Sequence, residues 1–236
     1  MVHNILAITL ARAGSKGVPN KNEKLLASKP LISYTIESVL KCKTQLEYLV
    51  FTNSVTIQKI ANSYGLLAPF LRSEENASDT ASSTDALIEA VNAYEEFTGK
   101  KYDYIIECMA TSPFKTSQDI DCAINLLIET KADSVIGVTQ LSDFHPARAK
   151  KIVDGKITDF CVPELAFRRQ DLKPEAYIRN GSIYALSRDA LMKKNLRFGG
   201  DNSVPYIMPT SRSINIDTKL DFLTAEQIIQ NPEILG

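Results

Sequence analysis

Two hydrophobic rhythms alternate along this chain. Short apolar runs cover residues 3–11, 46–52, 104–110, 134–139 and 181–186. Runs of this length read as buried strands. Between them, apolar residues recur at helical spacing. With Pro30 as a first helical residue, Ile32, Ile36, Val39 and Leu40 share one face. Residues 54–64 read as a second helix with Gly65 as its stop. Ser83 or Thr84 is placed to cap a third, whose face is Leu87, Ala90, Val91, Tyr94 and Phe97. Ser117 is placed to cap a fourth, with Ile120, Ile124, Leu127 and Ile128 inward, and residues 221–230 form a last helix. Strand and helix alternating in this way predict an α/β fold: a mostly parallel sheet with helices on both faces.

The pattern breaks between residues 140 and 179. This segment is polar, carries Pro146, Pro163 and Pro174, and holds Arg168 and Arg169. Within it, residues 150–160 read as a hairpin turning at Asp154-Gly155. We read 140–179 as an arm inserted in a single domain spanning 1–236, with dimerisation as its expected role and a homodimer as the expected assembly. There is no internal repeat and no low-complexity stretch.

Composition narrows the classes. The net charge is −1, with 27 basic and 28 acidic residues, so no broad basic face is available for a nucleic acid backbone. The four cysteines, Cys42, Cys108, Cys122 and Cys161, lack zinc-site spacing and read as mostly buried thiols in a reducing compartment. The N-terminal apolar run is too short for a membrane span and lacks a signal-peptide cleavage region. A cytoplasmic protein with no membrane partner is the expectation.

The candidate chemistry lies at the end of the first strand, where ligands bind in a doubly wound sheet. Residues 11–22 read A-R-A-G-S-K-G-V-P-N-K-N. Gly14 and Gly17 let the backbone turn and present amide N–H groups. Arg12, Lys16 and Lys21 surround them with positive charge. A polyphosphate needs both, as donors for its oxygens and as countercharge during transfer. The spacing is neither a Walker loop nor a dinucleotide fingerprint. Taken alone, a cationic glycine loop also suits a solvated turn; its place after a buried strand favours the ligand.

At these residues the chain resembles the acylneuraminate cytidylyltransferases, the CMP-sialic acid synthetases and their legionaminic and pseudaminic acid relatives. Further blocks follow in the family's order: Phe70-Leu71-Arg72, residues 77–83 (ASDTASS), Thr111-Ser112-Pro113, Arg169-Gln170, residues 180–184 (NGSIY) and residues 216–221 (IDTKLD). The resemblance implies a transfer of CMP from CTP to the anomeric hydroxyl of an acidic nine-carbon sugar, with pyrophosphate released. It implies a CTP site made of Ala11, Arg12, Ser15, Lys16, Lys21, Asn22, Arg72 and Ser82. Arg12 and Lys21 would stabilise the departing pyrophosphate. Met109, Thr111, Arg169, Asn180 and Tyr184 would face the sugar, with Arg169 on its carboxylate and able to serve a neighbouring subunit. Asp217, with Asn215 beside it, would hold magnesium (Mg2+) and complete the catalytic set of Arg12, Lys21 and Asp217.

Three departures qualify that picture. The family's Asp-Ile-Asp is Asn215-Ile216-Asp217 here, and its Ser-Thr-Asp is Phe51-Thr52-Asn53. Its Leu-Gln-Pro-Thr-Ser-Pro is Cys108-Met109-Ala110-Thr111-Ser112-Pro113. In the family the glutamine contacts the sugar, a hydrogen bond that Met109 cannot make. The expectation is therefore a related sugar or a shifted pose. The alternatives are an enzyme acting on the eight-carbon sugar Kdo, and a nucleotide-binding homologue without catalysis.

Overall fold

A computed structural model describes residues 3–15, 17–66, 68–69, 82–141, 143–161 and 168–235, with the side chain of Arg169 outside the description. Its centre is β1 (Ile5–Ala11); after the two-residue strands β2 (Leu25–Leu26) and β3 (Lys29–Pro30), which pair with each other, β4 (Glu47–Thr52) and β5 (Tyr104–Cys108) flank β1 in parallel. Successive side chains of a strand face opposite sides. Ile5 and Ala7 therefore pack with α1 (Leu31–Leu40), α2 (Val55–Ser63) and α4 (Ser117–Thr130). Leu6 and Ile8 pack with α3 (Ser83–Thr98) and α5 (Arg188–Lys194). Helices on both faces explain why β1 is apolar without alternation.

The six-stranded sheet runs β10-β6-β9-β5-β1-β4. Its other members are β6 (Ser134–Leu141), β9 (Ala176–Ser187) and β10 (Ser203–Ile207). β9 is antiparallel to both β5 and β6, the exception in a mostly parallel sheet. It begins five residues before the apolar run that announces it. Tyr177, Ile178 and Arg179 are exposed, so this half lacks a buried pattern. β10 and α5 escaped the sequence reading. β10 is a short edge strand interrupted by Pro205, and α5 is only two turns long.

The helix starts differ by a residue or two from expectation, the last helix beginning at Lys219 instead of residue 221. Pro30 is the residue before α1, not its first turn. Ser82 caps α3 by accepting from Thr84 N and Asp85 N, so neither Ser83 nor Thr84 is the cap. Thr116, not Ser117, caps α4, in a reciprocal capping box with Asp119. A capping oxygen reaches an N–H group two or three residues ahead; Ser82 reaches both, and Thr116 reaches the third.

The hairpin forms as expected. β7 (Lys150–Val153) and β8 (Lys156–Asp159) turn through Asp154 and Gly155, both with positive φ (52° and 75°), as a tight two-residue turn requires. All eight strand residues are exposed, including the facing pair Ile152 and Ile157.

A third apolar cluster positions the site. Val18, Leu26, Leu31, Phe114 and Ile216 pack with Phe222, Ala225 and Ile228 of α6 (Lys219–Gln230). The segment after the glycine loop is thereby fixed against the chain's last helix.

The capping assignment is directly testable. Thr116→Ala should lower stability by about 1 kcal/mol, a Tm loss of about 2–4 °C for a chain of this size. Ser117→Ala should leave Tm within about 1 °C, because its side chain makes no cap. Thermal denaturation followed by circular dichroism separates the two.

Candidate active site

The glycine loop leaves the carboxyl end of β1, where Ala11 is fully buried. Gly14 takes a left-handed φ of +68°, a conformation that glycine adopts without strain. Asn53, at the end of β4, accepts a hydrogen bond from Ala13 N at 2.8 Å. The amide that replaced the family's aspartate thus anchors the loop. Gly17 lies so close to the far end of the chain that an added Cβ would sit 2.0 Å from the Asp217 carbonyl oxygen. Only glycine fits there.

Lys21 completes that junction. It is buried, and its Nζ donates to Asp217 Oδ1 at 2.8 Å and to the Ile216 carbonyl. Residues separated by almost the whole sequence therefore share one site. Asn22 is buried beside it and donates through Nδ2 to the Arg12 carbonyl at 3.3 Å. Its Oδ1 is a buried acceptor with no partner among the described residues. Such a group costs about 1–3 kcal/mol unless a donor arrives. Ser15 is half-buried in the same loop, whereas Lys16 and Arg72 lie outside the described residues. Ser82 is exposed, with its hydroxyl occupied in capping α3.

The turn after β5 forms the opposite wall. Ile216 N donates to the Thr111 carbonyl at 2.8 Å. Thr111 Oγ1 donates to Asn215 Oδ1, and Asn215 Nδ2 donates to Asp217 Oδ2, each at 2.5 Å. In this arrangement Asn215 holds the carboxylate through an N–H and turns its own oxygen to Thr111. Asp217 is largely exposed. One exposed carboxylate next to a cationic loop fits magnesium, which commonly takes one or two carboxylates plus phosphate oxygens. Asp221 is structural. It accepts from Asp217 N at 3.0 Å and Thr218 N at 2.7 Å. Burial raises its pKa, but these bonds outweigh burial and hold it below the ordinary carboxylate value.

Beyond Asn215 opens a cavity of about 460 Å³, whose lining includes Thr139, Arg179, Asn180, Gly181 and Tyr184. The expected sugar residues Asn180 and Tyr184 are both here. Asn180 is buried and its amide is engaged at both ends: Nδ2 with Met208 Sδ and Ser213 Oγ, Oδ1 with Ser182 N. These contacts fix its place in the cavity wall. The Tyr184 ring packs 5.5 Å from Phe198. Arg179 lies 3.7 Å over the other ring of that pair, Phe198. Arg197 forms a two-bond pair with the fully buried Glu107, each bond 2.7 Å. The sequence reading missed Arg179, Arg197, Phe198 and Glu107. The one available signal was a glutamate inside an otherwise apolar strand run.

Lys115 lies under the turn. It is almost wholly buried, and its Nζ donates to Thr35 Oγ1, the Met109 carbonyl and the Ser112 carbonyl, at 2.8, 2.7 and 2.6 Å. Burial lowers its pKa from 10.5 to about 8. The cysteines carry no sign of catalysis. Burial pushes Cys42 and Cys108 up to about 12, while Cys161 is exposed, against the expectation that most thiols are buried. Neither histidine adjoins the site. His3 pairs with Asp103 beyond the amino end of β1, and His145 Nε2 bonds the Pro174 carbonyl at the base of the arm.

A cationic glycine turn and an acidic residue, facing each other at the carboxyl ends of a parallel sheet, define an α/β nucleotidyltransferase architecture. The chain belongs to the cytidylyltransferase family, whose model matches residues 6–205. It is 34% identical over 230–240 residues to two relatives. The CMP-N,N'-diacetyllegionaminic acid synthase of Legionella pneumophila aligns over 98% of this chain and 99% of its own length. The N-acylneuraminate cytidylyltransferase of Escherichia coli aligns over 96% of this chain and 52% of its own length. The fold is similar to that of a solved CMP:2-keto-3-deoxy-manno-octonic acid synthetase complexed with CTP, with TM-score 0.72, 17% identity and 97% and 99% of the two chains covered.

The buried lysine sets a pH dependence. Its folded pKa of about 8 lies below the ordinary 10.5, so the native state binds fewer protons between them. The penalty is therefore full below about pH 8 and is relieved as pH rises toward 10.5. Relative to Lys115→Met, the parent should gain stability above pH 8, by up to about 1.4 kcal/mol per pH unit. Denaturant midpoints near pH 7 and near pH 9.5 measure this; a constant difference contradicts it.

Proposed function

We propose that this enzyme transfers CMP from CTP to the anomeric hydroxyl of a nonulosonic acid, the acidic nine-carbon sugars that include sialic and legionaminic acids. The observation that supports the reading is the junction of Lys21, Gly17 and Asp217, where one loop cation meets a carboxylate from the far end of the chain. The full-length likeness to a diacetyllegionaminic acid synthase supports this acceptor class over the eight-carbon one.

The sugar oxygen attacks the α-phosphorus, the bond to the β-phosphate oxygen breaks, and the hydroxyl proton is lost as pyrophosphate leaves. The loop amides and Arg12 grip the phosphates, with Lys16 as a further cation. Lys21, fixed by its two contacts to residues 216 and 217, meets negative charge growing on the leaving group. Cytosine offers an exocyclic amine, and the unpartnered Asn22 Oδ1 is an acceptor suited to it. Arg72 and Ser82 belong to the same proposed base and ribose contacts. Asp217 would hold Mg2+, which supplies charge neutralisation and orients the attacking hydroxyl. Arg169 remains the proposed carboxylate contact from the arm.

We also propose a homodimer through that arm. Ile152, Ile157 and Phe160 are 76%, 72% and 64% exposed, an apolar surface that a second copy would cover. A CTP-consuming reaction and the exposed thiol of Cys161 suit the cytoplasm, and no helix among the described residues is long and apolar enough to cross a membrane.

Pyrophosphate release should require Mg2+, CTP rather than UTP or ATP, and a nonulosonic acid rather than Kdo. Asp217→Asn or Lys21→Met should reduce kcat by about 10²–10³. CTP binding without pyrophosphate from any sugar in the panel overturns the proposal. Ile152→Asp together with Ile157→Asp should convert the dimer to monomer in light scattering; a monomeric parent excludes the arm interface.

A further inference from the structure

We infer that Arg197, held by Glu107, is the sugar-specificity residue that replaces the hydrogen-bond donor absent at Met109. The inference rests on the nonulosonic acid reading above. Met109 occupies the position of the sugar-contacting glutamine in the family that the sequence resembles, and its thioether donates nothing. Arg197 Nη2 lies 3.5 Å from Met109 Sδ, so a guanidinium reaches the place that the methionine side chain occupies.

The guanidinium is fixed rather than loose. Nε and Nη2 donate to the two oxygens of Glu107, a fork that sets the plane of the group. Its face lies 5.2 Å from the centre of the Tyr184 ring and 5.4 Å from that of Phe198. Tyr184 also lines the 460 Å³ cavity that adjoins Asn215, and Asn215 bonds Asp217. Arg197 therefore stands at the sugar side of the site, next to the reacting end.

Two of its five N–H donors are spent on Glu107 and one faces a weak sulfur acceptor, leaving the Nη1 pair without a partner among the described residues. Those donors suit a carbonyl or hydroxyl oxygen of the sugar. Burial alone would lower the Arg197 pKa, but its hydrogen bonds to Glu107 and that carboxylate's charge outweigh burial and raise it. Glu107 itself is fully buried, which confines it to pairing with Arg197. It is a positioning residue.

Removing Arg197 alone would strand a buried carboxylate. The test therefore uses the neutral pair Glu107→Gln with Arg197→Met, then adds Met109→Gln. N-acetylneuraminic acid and N,N'-diacetyllegionaminic acid are the probes, with CTP and Mg2+. The pair should lower kcat/KM for the better sugar at least about tenfold, the worth of one lost hydrogen bond to a charged group. KM for CTP should stay within about twofold. Adding Met109→Gln should restore much of the loss. An unchanged sugar kcat/KM in the pair, or a loss that Met109→Gln leaves in place, overturns the inference while the parent still turns over. A parent that releases no pyrophosphate removes the functional reading beneath it, and the inference falls with it.

Discussion

The ammonium of Lys21, buried against the carbonyl of residue 216 and the carboxylate of Asp217, ties the start of the chain to its end. Two features enforce the contact. Gly17 leaves no room for a side chain between loop and Asp217 backbone, and Val18 packs with Ile216 and Phe222 under them. A lysine alone in that place would carry a heavy desolvation cost. With a largely exposed carboxylate as partner, the contact lies at the edge of solvent.

Everything else in the fold serves that meeting. The parallel pairing of β4, β1 and β5 brings Asn53, the glycine loop and the Met109–Ser112 turn to one end of the sheet. The reversed strand β9 then delivers Gly181 and Tyr184 to the same end. Gly181 has φ +63°, and a Cβ there would press 3.3 Å against Asn215. Asn215, in turn, links Thr111 to Asp217. The site is a ring of backbone turns held by short polar contacts, which suits a reaction whose catalysis is positioning and electrostatics.

How much of this was legible in the sequence varied with its physical origin. Burial writes itself in apolar periodicity, so the five buried strand runs and the helices between them were readable. Edges do not: β10 has Pro205 in its middle, and the outer half of β9 is polar and exposed. Caps were misplaced by one residue because Ser82-Ser83-Thr84 and Thr116-Ser117 each offer neighbouring hydroxyls. The place of the glycine loop at the carboxyl end of β1 was legible because that strand is a clear apolar run. The Glu107–Arg197 pair was not, since its members lie ninety residues apart and each looks ordinary alone. Asn215 shows the same limit: nothing in its place along the sequence announces that it bonds both Thr111 and Asp217.

A double-mutant cycle addresses the central contact most directly. Lys21→Met, Asp217→Asn and the double variant are compared for kcat/KM with CTP at saturating sugar and magnesium. If the two groups act as one site, their effects are strongly non-additive, with a coupling of about 1–3 kcal/mol. Effects that add within about 0.5 kcal/mol would mean that the loop and Asp217 contribute independently, and would contradict the account.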